Sequence, residues 1–279
     1  MENKFLVRQR QENYFSVRVK SVGGNFSAEK LDTIQMVAKN FGSGEVHLTS
    51  RQEISVHSIK SEDFPAVEKI FVAGNLKLSR LGACLKNITA CQGKKICPSG
   101  LIDTISLAEK IERLHGTKKL PSKFTIGLSG CENNCMKVEG NDIGIKGSLK
   151  PNHIAENCIY CGKCEKVCST GAIEFSREEK LLRINRSLCI NCGRCFRNCM
   201  SRAIEAEQGY SVSICGILHL PFIEGEEKVL GIVDGVLKFF VANSKNHESL
   251  KSVLNKISAN ELANFLSDAH GSCHSCNFA

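Results

Sequence analysis

Eight cysteines crowd between positions 158 and 199 in two copies of one phrase. Cys158-Ile-Tyr-Cys161-Gly-Lys-Cys164 is followed by three residues and Cys168, and Cys189-Ile-Asn-Cys192-Gly-Arg-Cys195 by three residues and Cys199. Iron–sulfur clusters are held by thiolates. Three cysteines at two-residue gaps wrap three corners of one cubane, while the fourth of the run is directed to a second cubane. The spacing therefore assigns Cys158, Cys161, Cys164 and Cys199 to one [4Fe-4S] cluster, and Cys189, Cys192, Cys195 and Cys168 to another. Zinc is the rival, but a closed tetrahedron of four ligands suits runs of three plus one less well. The residue after the fourth cysteine, often Pro, is here Ser169 or Met200, which removes no ligand.

The chain holds 16 cysteines in 279 residues. A disulfide framework belongs to short secreted domains, and the beginning of this chain, with Glu2, Lys4, Arg8 and Arg10, shows no apolar signal segment. The longest apolar stretch, 229–241, is broken by Gly and charged residues and falls short of the roughly 20 residues a membrane span needs. A cytoplasmic protein without a membrane span is expected. The net charge of +8 suits an oxyanion pocket or an ordinary solvated surface. With 6% aromatics, no Trp and no recognition motif, nucleic acid is not an expected partner.

Outside the thiol block the periodicities are those of a folded α+β protein. Phe15, Val17 and Val19 alternate with polar residues as in a half-buried strand. Ser27 stands where a cap would precede a helix with Leu31, Ile34, Val37, Ala38 and Phe41 on one face, ending at Gly42. Residues 45–49 and 53–57 read as a strand pair, and Ser61 opens a second helix, completing a β-α-β-β-α unit. Further on, a helix over 102–114, strands over 123–129 and 211–218, and a helix carrying Val229 to Phe240 are expected. The domains follow as 1–76, 77–150, an insertion at 151–206, and 207–279 completing the domain begun at 77.

Four more cysteines, Cys91, Cys97, Cys131 and Cys135, lack ferredoxin spacing; they are enough for a third cubane, or are buried structural thiols. Cys84 and Cys215 read as small buried hydrophobes, and Cys273-His-Ser-Cys276, with His270 and His274, as a metal or redox pair or a plain tail.

Two phrases around these four, Asn87-Ile-Thr-Ala-Cys91-Gln-Gly-Lys-Lys-Ile-Cys97 and Ser129-Gly-Cys131-Glu-Asn-Asn-Cys135, resemble the cluster motifs of the sulfite and nitrite reductase superfamily. His47-Leu-Thr-Ser-Arg51-Gln52-Glu is similar to its anion-binding segment. The order of parts is most similar to anaerobic sulfite reductase C subunits. The likeness runs over nearly the whole chain, strongest over 43–135 and the insertion, and weak after 220.

The resemblance implies a ferredoxin-like half-domain, a sirohaem and [4Fe-4S] α/β domain, and an inserted bacterial-type two-[4Fe-4S] ferredoxin module. The cofactors implied are sirohaem and three [4Fe-4S] clusters, the third held by Cys91, Cys97, Cys131 and Cys135, with Cys135 bridging to the sirohaem iron. Arg51, Lys86 and Lys123 become the catalytic cations for the oxyanion, and Arg51, Gln52, Lys95 and Asn134 join Cys135 as cofactor-binding residues. Relatives commonly carry Arg at Lys86, and sulfite reducers often carry a second Lys at Thr125, where nitrite reducers are neutral.

The implied activity is six-electron reduction of sulfite to sulfide, of anaerobic or dissimilatory kind, with electrons entering through the ferredoxin clusters. Nitrite reduction and a haem-free electron-transfer subunit are the alternatives. No Gly-x-Gly-x-x-Gly fingerprint is present, so a donor protein or separate NADH- or ferredoxin-linked subunits should supply electrons to a homodimer or hetero-oligomer.

Overall fold

A computed structural model describes residues 4–245, 247–257 and 259–269. The first unit is an antiparallel sheet backed by two helices. Its elements are β1 (Leu6–Arg8), β2 (Tyr14–Lys20), α1 (Ala28–Phe41), β3 (Val46–Leu48), β4 (Ile54–Lys60), α2 (Phe64–Ala73) and β5 (Lys77–Leu78). The strand order is β1-β2-β4-β3, with β5 also paired to β2. Val17, Val19, Ile54 and Val56 pack against Ile34, Val37, Val67 and Phe71 in one apolar core. The expected alternation in β2 holds from Val17 onward, but Phe15 is only half-buried while Ser16 is buried. A register shift against β4, where Ser58 takes a φ of 60°, turns that end of the ladder. Ser27 precedes α1 as expected, yet its hydroxyl caps no backbone N–H; it pairs with Glu29, whose carboxyl it holds below the usual range.

The second sheet is mixed. It comprises β6 (Thr89–Ala90), β7 (Ile126–Ser129) and β8 (Ile143–His153), and later β11 and β12, with α3 (Thr104–His115) crossing over between β6 and β7. β6, β7 and β8 run parallel. Between β8 and β11 the chain makes its cysteine-dense excursion, with α4 (Lys163–Lys166), the hairpin β9 (Ile173–Ser176) and β10 (Leu181–Ile184), and α5 (Arg194–Arg197).

β11 (Ile204–Ile214) then returns antiparallel along the whole of β8, from Ile204 opposite His153 to Ile214 opposite Ile143. β12 (Leu218–Ile223) completes the order β12-β11-β8-β7-β6, and α6 (Glu226–Asn243), α7 (Leu250–Lys256) and α8 (Ala259–Ala269) follow. Leu107, Ile111, Phe124, Ile143, Val233 and Phe240 belong to one continuous core.

Two expectations change here. The single strand over 211–218 is a hairpin, because Cys215 and Gly216 both take positive φ, 53° and 66°, and the Ile217 N–H closes on the Ile214 carbonyl at 2.9 Å. The eleven-residue β8, whose Pro, Gly and Lys residues blur its period, has no counterpart in the periodicity reading. Among the described residues no helix is long and apolar enough to cross a membrane.

Candidate functional site

The repeated cysteine phrases adopt the same backbone. Tyr160 and Gly162 in the first, and Asn191 and Gly193 in the second, are left-handed, and each glycine opens a one-turn helix that carries the third cysteine of its run. This coiling turns the thiols toward two hollows. One is lined by Cys158, Cys161, Cys164 and Cys199, the other by Cys168, Cys189, Cys192 and Cys195. The structure thus brings together the foursomes that the spacing pairs.

Among the described residues no three His, Cys, Asp or Glu side chains close on a single metal ion; these thiols ring a hollow rather than a point. Burial, with the neighbouring thiols adding to it, pushes Cys164 up and Cys195 to about 11. Burial favours the neutral form of these two thiols, whereas Cys168, despite its burial, is held below the usual thiol range by hydrogen bonds from Thr170, Ala172 and Ile173. The Ala172 N–H, 3.3 Å from the Cys168 sulfur, is a donor of the kind that stabilises a ligating thiolate.

The other four cysteines are gathered by the parallel strands. Ala90 lies opposite Leu128, so Cys91 and Cys131 leave adjacent strands at the same edge. The Gly130 N–H donates to the Cys91 sulfur at 3.0 Å. Cys97 arrives through a junction of three glycines. A Cβ at Gly100 would lie 2.5 Å from the Gly93 carbonyl carbon, and one at Gly130 would lie 3.1 Å from the Gly93 Cα. Only backbones without side chains approach so closely. Cys131 is buried, which raises its thiol, and Cys97 and Cys135 raise it further while Arg197 opposes them. Cys135 is the exposed member.

The loop between Cys131 and Cys135 is latched to the sheet through its own Glu132 and Asn134 by Lys146, Ser148 and Ser211, which no motif names. Lys146 of β8 reaches Glu132 at 2.7 Å and Glu139 at 3.0 Å. Glu132 also accepts from Ser148 at 3.2 Å and Ser211 at 3.0 Å. Asn134, left-handed at φ 51°, donates to Glu139 and accepts from the Val138 N–H at 3.0 Å, so its carboxamide holds the loop. In the sequence Glu132 and Asn134 stand within the motif, but their partners on β8 and β11 carry no signal of their own.

The expected cations occupy a second region. Arg51 sits in the turn after β3, where its carbonyl accepts from Asn87 Nδ2 at 2.7 Å. The same Asn87 nitrogen donates to the Ser21 carbonyl at 2.8 Å, which joins the two units. Lys86 precedes β6 and donates to the Arg80 carbonyl at 3.0 Å. Lys123 is exposed ahead of β7, and the Lys86 N–H meets the Phe124 carbonyl at 2.8 Å, placing the two lysines on neighbouring segments. They stand at the opposite end of the parallel strands from Cys91 and Cys131, up to about 16 Å of extended chain from Lys86 to Cys91.

Thr125 is buried, its hydroxyl 2.8 Å from Asp142 Oδ2. Burial raises the Asp142 carboxyl, against the hydrogen bonds from Thr125 and the charge of Arg51. Gln52 is committed to the backbone of Ala90, and Lys95 to Asp103 at 2.9 Å. Cys84 is buried and Cys215 half-buried, its thiol pushed up by burial to about 12. His270, Cys273, His274 and Cys276 lie outside the described residues.

Residues 81–271 match the family described as "Nitrite and sulphite reductase 4Fe-4S domain", and residues 7–74 the "Nitrite/Sulfite reductase ferredoxin-like half domain". The chain is 34% identical over 234 residues to the coenzyme F420-dependent sulfite reductase of Methanocaldococcus jannaschii, covering 84% of this chain and 37% of that protein. It is 32% identical over 182 residues to the C subunit of the anaerobic sulfite reductase of Salmonella typhimurium, covering 60% of this chain and 53% of that protein. It therefore spans well under two thirds of these relatives' length. In fold it is similar to a crystal structure of dissimilatory sulfite reductase I, with a TM-score of 0.73 at 20% identity over 91% of this chain and 69% of that one.

Proposed function

Because the chain belongs to the nitrite and sulphite reductase family, with the ferredoxin-like half domain ahead of its 4Fe-4S domain, we propose that it is the cofactor-carrying chain of an enzyme that reduces sulfite to sulfide. The observation that carries this is the sorting of twelve thiols into three groups, of which the third, Cys91, Cys97, Cys131 and the exposed Cys135, is gathered at the end of the parallel strands of the family's 4Fe-4S domain. In this reading residues 151–206 are an inserted two-cluster ferredoxin module, whose ends are the paired last residues of β8 and first residues of β11, within a domain formed by 77–150 and 207–279, and residues 1–76 are the half-domain.

The donor sets fit three [4Fe-4S] clusters, and an exposed Cys135 thiol with cations elsewhere on the chain suits a tetrapyrrole rich in carboxylates. Sirohaem, when bound, supplies the multi-electron chemistry at the substrate atom. The chain's own residues hold and orient. Cys135, the exposed thiol of its group, would be the residue that holds sirohaem. Arg51, Lys86 and Lys123 hold oxyanion oxygens by charge-assisted hydrogen bonds and keep donatable protons near them. Gln52, Asn87, Asn134 and Lys95 act one step back, holding the turns and loops that carry these groups.

Electrons arrive from a separate donor protein or subunit, and the working form is a homodimer or hetero-oligomer in the cytoplasm. Nitrite is the second substrate to consider, because Thr125 is neutral and engaged with Asp142, leaving one cation fewer for a dianion. Anaerobic purification, iron and sirohaem quantification, and side-by-side turnover of sulfite and nitrite test the proposal. A Soret band with sulfide release supports it. Faster ammonium release assigns nitrite, and full iron without a Soret band reduces the chain to an electron-transfer role.

A further inference from the structure

Along β8, Lys146 and Ser148 alternate with the core residues Ile143 and Ile145, and Ser211 of β11 stands opposite Lys146. The three form a polar patch on the sheet face turned from the apolar core. All three close on the Glu132 carboxylate, the ammonium at 2.7 Å and the hydroxyls at 3.2 and 3.0 Å. Three donors on one carboxylate fix where its negative charge sits, and only 11% of the Glu132 side chain is exposed. Glu132 is the one acid between Cys131 and Cys135, and as the neighbour of Cys131 it keeps its carboxylate within about 12 Å of that sulfur whatever the rotamers.

Other charges around this thiol group are placed differently. Lys94, Lys95 and Lys137 are exposed, as is Arg197, which donates to the Ser99 carbonyl at 3.1 Å, and Asp103 is answered by Lys95. Lys146 is shared with Glu139 at 3.0 Å, so the buried trio of Lys146, Glu132 and Glu139 leaves one negative charge over. Water and salt screen the exposed charges, and a buried one is screened much less.

We infer that Glu132 sets the working potential of the cluster held by Cys91, Cys97, Cys131 and Cys135, its buried charge making that centre harder to reduce and a stronger reductant once reduced. This deepens the function proposed above and rests on its cluster assignment. Each reduction adds one electron to the cluster; no bond forms and no proton moves. Glu132 acts on the reaction through the cluster, as a positioning residue rather than a catalytic one.

β8 supplies an internal reference for the test. Gly147 packs on Gly130, next to Cys131. Two residues on, Leu149 bridges to Cys192, its N–H bonded to the Asn191 carbonyl at 2.7 Å, and Pro151 lines the hollow of Cys168, Cys189, Cys192 and Cys195. At the end of the strand His153 stands opposite Ile204, which lines the hollow of Cys158, Cys161, Cys164 and Cys199. The group with Cys161 is therefore the outer one, a further length of about 16 Å of strand beyond Ser148 and well past the screening length of about 8–10 Å.

Anaerobically purified holoprotein is titrated with titanium(III) citrate and followed by electron paramagnetic resonance, each signal being assigned by its loss in Cys97→Ala or Cys161→Ala. Glu132→Gln keeps an oxygen for the two serines and removes the charge. A unit charge at about 12 Å, with the effective dielectric of about 20 that suits partly buried sites, changes a one-electron equilibrium about tenfold. The midpoint of the cluster at Cys131 should therefore rise by about 59 mV, while the outer cluster's equilibrium moves by less than about twofold. The sign does not depend on the surrounding charges, because a single one changes. Glu132→Asp keeps the charge and should stay within about twofold of the native equilibrium. Glu139→Gln, at the more exposed carboxylate, should shift the midpoint the same way by less, and carries the test if Glu132→Gln loses the cluster. A midpoint unmoved in the Gln variants that retain the cluster, an equal shift in Glu132→Asp, or loss of the cluster from both Gln variants overturns the proposal in favour of a structural role. Native protein that holds iron in the eight-cysteine block alone overturns the cluster assignment itself.

Discussion

The side chain of Gln52 and the backbone of Ala90 form a closed pair. Nε2 donates to the Ala90 carbonyl at 2.9 Å, and Oε1 accepts from the Ala90 N–H at 2.8 Å. Ala90 is fully buried and immediately precedes Cys91, so a turn of the first unit fixes the start of the third thiol group. Replacing Gln52 by Ala leaves a buried N–H and carbonyl without partners, which should cost about 1–3 kcal/mol. Denaturant unfolding measures it. An unchanged midpoint would mean that water replaces the amide.

Lys146 neutralises two carboxylates at once. In Lys146→Met, Glu132, with 11% of its side chain exposed, keeps only hydroxyl partners. Breaking a buried pair from one side costs about 3–5 kcal/mol, and the partial exposure of Lys146 and Glu139 places this case at or below the lower figure. The loop of Cys131 and Cys135 should loosen first, so iron should fall by roughly one cubane while the other two groups keep theirs. Iron analysis with unfolding curves distinguishes this from global loss.

Gly100→Ala places a methyl 2.5 Å from the Gly93 carbonyl carbon and 2.6 Å from the Lys94 nitrogen. Both obstacles are backbone, so the loop itself must move, at about 1–3 kcal/mol or more. The variant should fold with iron lost from the group containing Cys97. Full iron content would show that the junction does not position that thiol.

Arg51→Ala removes a guanidinium while keeping the carbonyl that Asn87 holds. Turnover should fall by about a hundredfold, the usual scale for removing one charge-stabilising donor, with iron unchanged. Loss of iron alongside activity would assign Arg51 to the architecture instead.

Asp142 provides a pH test. Burial raises its carboxyl above the usual carboxylate range, so its contribution to stability is full below that range and is lost as pH rises through the raised value. Asn at this position keeps an acceptor for the Thr125 N–H and hydroxyl and never ionises. Asp142→Asn should match the native chain near pH 4 and exceed it in stability by about pH 8, as read from urea midpoints. A difference that shrinks with rising pH would contradict the burial.

Much of the fold was legible where one physical period dominated. α1 ends at Gly42 as its apolar face predicts, and Val17, Val19, Ile54 and Val56 point inward as alternation requires. Legibility failed where backbone conformation departs from the residue's habit. Cys215 in a left-handed turn hides the hairpin, and the bulge at Ser58 changes which side of β2 is buried near Phe15 and Ser16. Gln52, Asn134 and Lys95 were visible as polar residues of motifs. Their partners, Ala90, Glu139 and Asp103, were not, since a polar side chain does not announce whether it faces a ligand or its own chain.

By itself the sequence determined which thiols belong together in the dense block, because a cysteine's reach is short and the gaps between neighbours limit what one run can wrap. It also determined the family, through phrases around Cys91 and Cys131. Tertiary structure alone decided how the groups are ordered in space. The order depends on β8 pairing along its length with a strand that begins at Ile204, and on Gly130 letting its backbone touch those of Gly93, Gly100 and Gly147. Such contacts are set by packing between remote segments, and local spacing carries no record of them.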